Sequence, residues 1–565
     1  MNSRKIVYVL ISALALVSAA HAVEVDEDEI RSISNSDVVF ENYVGPHSVI
    51  NTIEEIRAIG SGIGNVVAQN TDRAGTYGYA PKYAVIHAID PEETSKLDAD
   101  ILVIGPNAIV DHITNMRRII SAYLTAAYGY SRQDADTVAT FVTVYNAVYR
   151  GKLDMFRQKY KKIVTDNLTE DKVGIALSYR DWPGMTQLVI PLYDINGGLS
   201  TVDTSVISEK EVIASMQEDE DKGIEDRKGM VDIKEREADE AAERAAAEQA
   251  KADEAAKKAA DEKAKAEAAR QAADEKAKQA EAAKKTADDA QKKAAENPAD
   301  KQAQKDARAA ADDAKAKQAE ADQAKATSDE QQQKADEQQQ KADEQQQKAD
   351  TAQNTADQKR SEAQEERSAI AKDQQQVIAQ QEKNENAPTV YGLTAEDELG
   401  QRSAIVRMNA TTGELIKKSP VTVIQSRTFY ENGNTFIAIA GENIGNGTVK
   451  LVHLNKDTLE IVKESNETIA ANSVLVQDGG GSYYCVMQDG TFFVVGKFSA
   501  NLENQLKSPV RVKPTTPITV TQNGIIVTSM TGTPILLNKA DLTQLSQKSR
   551  SDSIADKVIG TIDAK

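Results

Sequence analysis

The chain holds a single cysteine, Cys485, in 565 residues. No internal disulfide can form, so every folded part must be held by burial and hydrogen bonding. Beside Tyr483 and Tyr484, this cysteine reads as a small core residue. Histidine is nearly as scarce. Past the first 22 residues only His47, His87, His112 and His453 remain. None has a second His or Cys at metal-ligand spacing, and each reads as a strand or loop residue. The one tryptophan, Trp182, precedes Pro183 and Gly184 and reads as a core anchor rather than a stacking platform. No Ser-His-Asp or Cys-His arrangement can be assembled. No catalytic, cofactor-binding or metal-ligating residue is therefore expected, no cofactor is called for, and the chain is expected not to be an enzyme.

Positive charge is also short, with 68 Lys and Arg against 88 Asp and Glu. Nucleic-acid binding is driven by basic side chains that neutralise phosphates, so nucleic acid is excluded as a partner. Docking on anionic lipid is disfavoured for the same reason. Long apolar runs are missing except at the start. "MNSRKIVYVLISALALVSAAHAVEV" has a basic beginning at Arg4 and Lys5 and an apolar run from Ile6 to Val17, too short to span a bilayer. Ala20 and Ala22 give a small-x-small cleavage pattern, so residues 1–22 read as a signal peptide. Its removal takes away two basic residues and no acidic one, and the net charge of -20 becomes -22. The mature protein is expected to be exported, in the periplasm or associated with an outer membrane, with no integral span.

Composition divides the mature chain in three: residues 23–208, 209–387 and 388–565. The middle lacks large apolar groups altogether. Between Lys234 and Ala369 the only aliphatic or aromatic side chain is alanine, glycine is absent, and the only proline is Pro298. What remains, Ala, Glu, Lys, Gln and Arg, are the strongest helix formers. The heptad DEQQQKA runs three times without change from Asp329. Glu330, Glu337 and Glu344 each precede a lysine by four, the favoured orientation for an i,i+4 ion pair. A strong coiled coil wants Leu, Ile or Val twice per heptad, and this one offers a single methyl. The composition favours a single or loosely paired solvated helix; tight pairing through the small residues and disorder are the other readings. Weak self-association through this spacer is allowed. A break is expected near Pro298. Unbroken, the rod would reach roughly 260 Å and hold the ends apart.

The first part reads as a mixed α/β domain. "NTIEEIRAIG" carries a capping-box pattern from Asn51 to Glu54, with Gly60 as a stop. Tyr83–Ile89, Asp100–Gly105 and Thr186–Leu192 read as strands. Ala135, Val138, Val142, Tyr145 and Val148 fall on one helical face, and Gly129 and Gly151 read as stops. "FENYVGP", "NTIEEIRAIG", "NMRRIISAYL", "TVYNAVYRGKLD" and "YRDWPGMTQLVIPL" occur in one order. In them the chain resembles the N-terminal domain of the spirochaetal 83/100-kDa antigen family, known from Borrelia and Treponema. The resemblance covers roughly residues 25–192. It implies an exported cell-envelope antigen with a signal peptide, a charged low-complexity middle and a β-rich C-terminal domain, and it carries over no catalytic residue.

The last part repeats. "RMNATTGELIKKS" from Arg407 aligns with "HLNKDTLEIVKES" from His453. "KFSANLENQLKS" from Lys497 follows one residue short, and "LLNKADLTQLSQKS" from Leu536 follows approximately. Asn409, Asn455, Ser499 and Asn538 lead the turns at propeller-blade spacing. An all-β, small propeller-like domain is expected, with an open meander or sandwich as the alternative.

Two near-motifs are weaker than their structural readings. "GSGIGN" (Gly60, Gly62, Gly64) is similar to a phosphate loop but follows a helix, so a cap and turn fit better. "DEDKG" (Asp219, Asp221, Gly223) is similar to a calcium loop, but its glycine is one place early and no Glu closes it. Three functions stay open: a structural or interaction protein with an unknown envelope or periplasmic partner, two folded ends separated by a rod; a periplasmic sensor or ligand-binding module acting through the C-terminal β-domain; and an envelope enzyme with a hidden site. A ring of polar residues on one propeller face would favour the second. A buried carboxylate or histidine in an N-terminal pocket would favour the third.

Overall fold

A computed structural model describes residues 38–545 apart from 194, 196, 399–401 and 422–423. Residues 1–37, which include the expected signal peptide, and the last twenty residues lie outside the described residues.

The N-terminal part is mixed α/β, as expected. Helix α1 (Ile53–Val67) begins at a capping box one residue later than the sequence pattern placed it. Thr52 accepts a hydrogen bond from the Glu55 amide, and the Glu55 carboxylate accepts one from the Thr52 amide. Gly60 does not stop this helix. A β-carbon there would lie 2.0 Å from the Ile119 carbonyl, so Gly60, with Gly64, lets α1 press against α2 (Ile113–Tyr128). Between them run strands β1 (Gly75–Tyr79), β2 (Tyr83–Ala88) and β3 (Asp98–Ile104). Helix α3 (Arg132–Val148), the short helices α4 (Leu153–Lys159) and α5 (Lys162–Thr165), and strand β4 (Thr186–Leu192) follow. The strands form one antiparallel sheet in the order β1-β2-β3-β4. β4 is buried at every residue, and Met116, Leu124, Val138 and Phe141 from α2 and α3 complete the core. Trp182 is fully buried and donates from its indole nitrogen to the Ala176 carbonyl, the anchor role read from sequence.

Two short helices, α6 (Thr204–Ile207) and α7 (Lys210–Met216), lead to α8 (Ile224–Glu296) and α9 (Lys301–Glu385), of 73 and 85 residues. The break at Pro298 is a reversal: α8 and α9 pack along each other as an antiparallel hairpin. Lys276 pairs with Glu320 at 2.6 Å, Gln249 with Gln346 at 3.3 Å and Lys234 with Glu362 at 2.6 Å. The two numbers of each pair average close to 298, the position of the proline. The preference for a single or loosely paired helix therefore gives way to close pairing through the small residues, the reading weighed against it. On α9 the seam is Ala335, Gln338, Ala342, Gln345 and Ala349, alternately buried and half-buried. On α8 Ala252, Ala259 and Ala266 are buried, with Ala255 and Glu262 half-buried between them. That is a 3,4 spacing on both helices, the coiled-coil period. The heptad buries its one methyl and half of one glutamine stem, and a side chain this small lets the two backbones come close.

The chain then enters an all-β region of four antiparallel units. The first is β5 (Thr389–Ala395), β6 (Ser403–Asn409) and β7 (Leu415–Lys418). The second is β8 (Ile424–Asn432), β9 (Thr435–Ala440), β10 (Lys450–Asn455) and β11 (Ile461–Glu464). The third is β12 (Val476–Gln477), β13 (Tyr483–Asp489), β14 (Phe492–Phe498) and β15 (Asn504–Arg511). The fourth is β16 (Thr519–Val520), β17 (Ile525–Thr528) and β18 (Pro534–Leu537). Each sequence repeat supplies the turn of one unit. Asn409 accepts from the amides of Thr411 and Thr412, Asn455 from Asp457 and Thr458, Ser499 from Asn501 and Glu503, and Asn538 from Ala540. A left-handed residue closes each turn: Gly413, Leu459, Leu502 and Leu542. It comes one residue earlier in the third unit, where the sequence repeat is one residue short. The first two units belong to one seven-stranded sheet, joined where Ser403 of β6 pairs with Ile424 of β8, and the second, third and fourth units pack on one another through shared cores. Ile437 and Ile439 share a core with Tyr483, Cys485 and Val494; Tyr484, Val486 and Val495 share the next with Ile525, Val527 and Leu537. No sheet closes into a barrel, and no strand pairing among the described residues joins β18 to β5.

Two folded ends with long helices between them in sequence are thus present. They are not separated by the rod. The hairpin returns the chain to its start, and one continuous core contains Tyr43 and Val110 from the first end and Ile405, Phe436 and Val452 from the last.

Candidate functional site

The two ends meet along residues 41–51. Tyr43 is 2 % exposed, and its hydroxyl points at the carbonyls of Pro46 (2.6 Å) and Thr448 (3.3 Å). The Thr448 amide donates back to the Pro46 carbonyl, and His47 faces Gly447 as an antiparallel bridge. Both the amide and the hydroxyl of Ser48 donate to the Asn446 carbonyl. Gly447 is required at this crossing, because a β-carbon would lie 2.3 Å from the Glu442 carbonyl and 2.9 Å from the Tyr43 ring. Beside it Arg180 binds Glu41 of its own end and Glu442 of the other, the latter at 2.7 Å. Arg402 approaches Glu442 at 3.6 Å.

Next to this seam lies a cavity of about 340 Å³. Its wall comes from the strap (His47, Val49, Ile50), from α1 (Ile56, Ile59), from the loop before α2 (Asn107, Ile109, Val110) and, from the far end, Asn446. Val49, Ile50 and Ile109 are 57, 83 and 56 % exposed, an apolar rim in solvent. His47 and Asp111 pair across the wall at 3.2 Å. That hydrogen bond, with the Asp111 charge, raises the histidine above its ordinary 6.5 against the opposing effect of burial.

A second polar group is sealed in the N-terminal core. The Asp100 carboxylate accepts from the hydroxyls of Tyr123 and Tyr128, both at 2.6 Å, and pairs with His87 Nδ1 at 2.5 Å. His87 Nε2 reaches the Thr71 carbonyl at 3.1 Å. Burial works to lower the His87 pKa, but the hydrogen bond and charge of Asp100 outweigh it and the net shift is upward. Histidine and carboxylate are both fully buried and line none of the three principal cavities. Every hydrogen-bonding atom of the pair is spent on a neighbour, the pattern of a structural ion pair.

The remaining singled-out residues are scattered. His112 caps α2 by accepting from the Thr114 amide, and His453 bonds the Ala500 carbonyl between the second and third β-units. Cys485 is buried, and burial pushes its thiol up. Asp221 accepts from the Gly223 amide in the turn before α8. Burial and Asp221 push Asp219 up to about 6, and Arg117 faces this corner. Among the described residues no group of acidic, His and Cys side chains is arranged to hold a metal, and no helix is long and apolar enough to cross a membrane. Sequence reasoning missed the junction. "FENYVGP" stood out only through the family resemblance, and nothing in it points to Gly447.

No curated protein matches the chain. The chain belongs to the family of the Borrelia P83/100 protein, whose family model matches residues 27–518.

Proposed function

We propose that the chain is an exported cell-envelope protein that works by contact rather than by catalysis: a head made from both ends, and a helical stalk that carries a contact point away from it. The observation behind this reading is the closure of the two ends at Tyr43–Thr448 with the hairpin left over. The farthest hydrogen bond between α8 and the N-terminal part among the described residues is Arg244 with Ser200. Beyond it about 50 residues of α8 run on to the turn, a projection of about 80 Å. Self-association through the stalk has no free alanine seam, since each helix's seam is occupied by the other. The Asp100–His87 pair is sealed from solvent, so an enzymatic reading would have to use the His47–Asp111 pair on the junction cavity, whose facing atoms are engaged with each other. The alternative, a sensor acting through the β-region, draws support only from Asn446, which lends that region one wall of the junction cavity.

The test is photo-crosslinking in intact cells, with the reactive residue placed at Ala299 on the stalk tip or at Ile109 on the head. A defined envelope partner captured from either position supports the reading. Capture of nothing above an outward-facing control at Lys263 overturns it.

A further inference from the structure

We infer that the cavity at the junction of the two ends binds an extended peptide that presents an aliphatic side chain next to a carboxylate. This deepens the contact reading above and rests on it.

The floor of the cavity is aliphatic: Ile56, Ile59, Val110 and Ile119. Its volume lies at the small end of the range for ligand sites, room for an anchoring side chain rather than a large cofactor. The polar groups around this floor divide into spent and unspent. Glu55 is used in the α1 cap, Asp111 holds His47, and the Asn115 side chain accepts from Arg118. Among the described residues the side chains of Asn51, Asn107 and Asn446 have no hydrogen-bond partner, and the Lys82 ammonium has neither an ion pair nor a hydrogen bond, yet all four line the cavity.

Three carboxamides and one ammonium define a chemistry. A carboxamide offers a donor and an acceptor side by side. An extended peptide offers the complementary N–H and C=O at each residue, whereas a hydrocarbon chain would leave all three amides unmatched. Lys82 is the one lysine or arginine of the lining, it has no ion pair among the described residues and it is exposed, which calls for a carboxylate beside the apolar anchor; the Glu55 carboxylate, held by its cap amide, keeps its own charge on the same lining. Asn446 comes from the far end of the chain, so a bound peptide also ties the two ends together.

The full chain is used to select from a displayed library of random heptapeptides, alongside Lys82→Glu and Ile109→Asp, both at exposed positions. The expected consensus is an aliphatic residue adjacent to Asp or Glu. On Lys82→Glu the acidic position should switch to Lys or Arg. On Ile109→Asp enrichment should fall at least about tenfold, as for loss of an interface anchor. Absence of any consensus, a consensus without an acid, or one unchanged by Lys82→Glu overturns the inference. So does a Lys82-dependent rise in melting temperature with decanoate in place of any peptide consensus, which would assign the site to a fatty carboxylate. Photo-crosslinks from the stalk tip survive any of these failures if only the peptide chemistry is wrong, and vanish as well if the contact reading is wrong.

Discussion

Tyr43 and Thr448 lie 405 positions apart, and the hydroxyl of one stands 3.3 Å from the carbonyl of the other. The contact is made in the strap of residues 41–51, whose tyrosine ring packs on Gly447 and whose Pro46 lies beside Gly441. The ends therefore share a core and an ion cluster. Arg180 is the cation between Glu41 and Glu442. Replacing it with alanine leaves two carboxylates facing each other, half-buried. Arg180→Ala should lower the stability of the full chain by about 1–3 kcal/mol, read as a drop in denaturant midpoint. Glu442→Gln in the same background should recover part of that loss. An unchanged midpoint in Arg180→Ala would show that this ion cluster adds nothing to the junction.

His47 and His87 should each stabilise the head more in mild acid than in mild alkali, while His112 and His453, whose pKa values burial lowers, act in the opposite direction. Both His47 and His87 have folded pKa values above their ordinary 6.5. A raised folded pKa means the native state holds the proton more tightly, so the contribution is complete below pH 6.5 and is lost as pH climbs through the folded value. The His47 part is isolated by comparing melting temperature from pH 5.5 to 8.5 in the parent and in Asp111→Asn: the advantage of the parent should be largest in mild acid and shrink as pH climbs through the folded His47 value. A difference between the two that is constant or grows with pH would contradict the His47–Asp111 pair.

The stalk can be shortened only in matched pieces. Removing Asp329 to Ala342 takes two heptads from α9 and leaves fourteen residues of α8 facing the wrong layers. That variant should lose helicity and cooperativity on heating, followed by circular dichroism. Removing Glu254 to Glu267 as well deletes the facing layers, restores the register about Pro298 and shortens the stalk by about 21 Å. Small-angle scattering should show the shorter maximum dimension with melting restored. Equal melting of the single and double deletions would mean that the helices are not paired in this register.

The alanine seam should tolerate nothing larger. Ala342 is buried between the helices, whereas Ala256 on α8 faces solvent. Ala342→Leu forces the backbones apart and should cost about 1–3 kcal/mol, as for overpacking in a core. Ala256→Leu should stay within about 0.5 kcal/mol of the parent. Chemical denaturation of the isolated hairpin, residues 224–385, separates the two cases.

Much of the secondary structure was legible because it is set by neighbours in sequence. The middle is helical since alanine, glutamate, lysine and glutamine favour helix wherever they are placed. The four β-turns follow from Asn409, Asn455, Ser499 and Asn538, whose side chains cap their own turns within a few residues. Even the one-residue shortening of the third repeat reappears in the position of Leu502. Misreadings arose where a local signal had two uses. Gly60 can end a helix or let two helices touch, and only the Ile119 carbonyl beside it decides. Strand β1, "GTYGY", is poor in apolar residues and takes its form from pairing with β2.

What tertiary structure alone decided is where the ends go. A proline in a helical sequence stops the hydrogen-bond ladder but does not fix the direction of the next helix. Direction came from the match of one alanine seam to another, a property of two segments at once. A single heptad with one methyl cannot reveal it, because the same methyl is surplus on a lone helix and sufficient on a paired one. Once the hairpin closed, Pro46 could meet Thr448 and Asn446 could complete a cavity whose other walls lie some 330 to 400 residues earlier. Those contacts depend on distances set by two helices of 73 and 85 residues, and no local pattern in the strap or in the β-repeats records that sum.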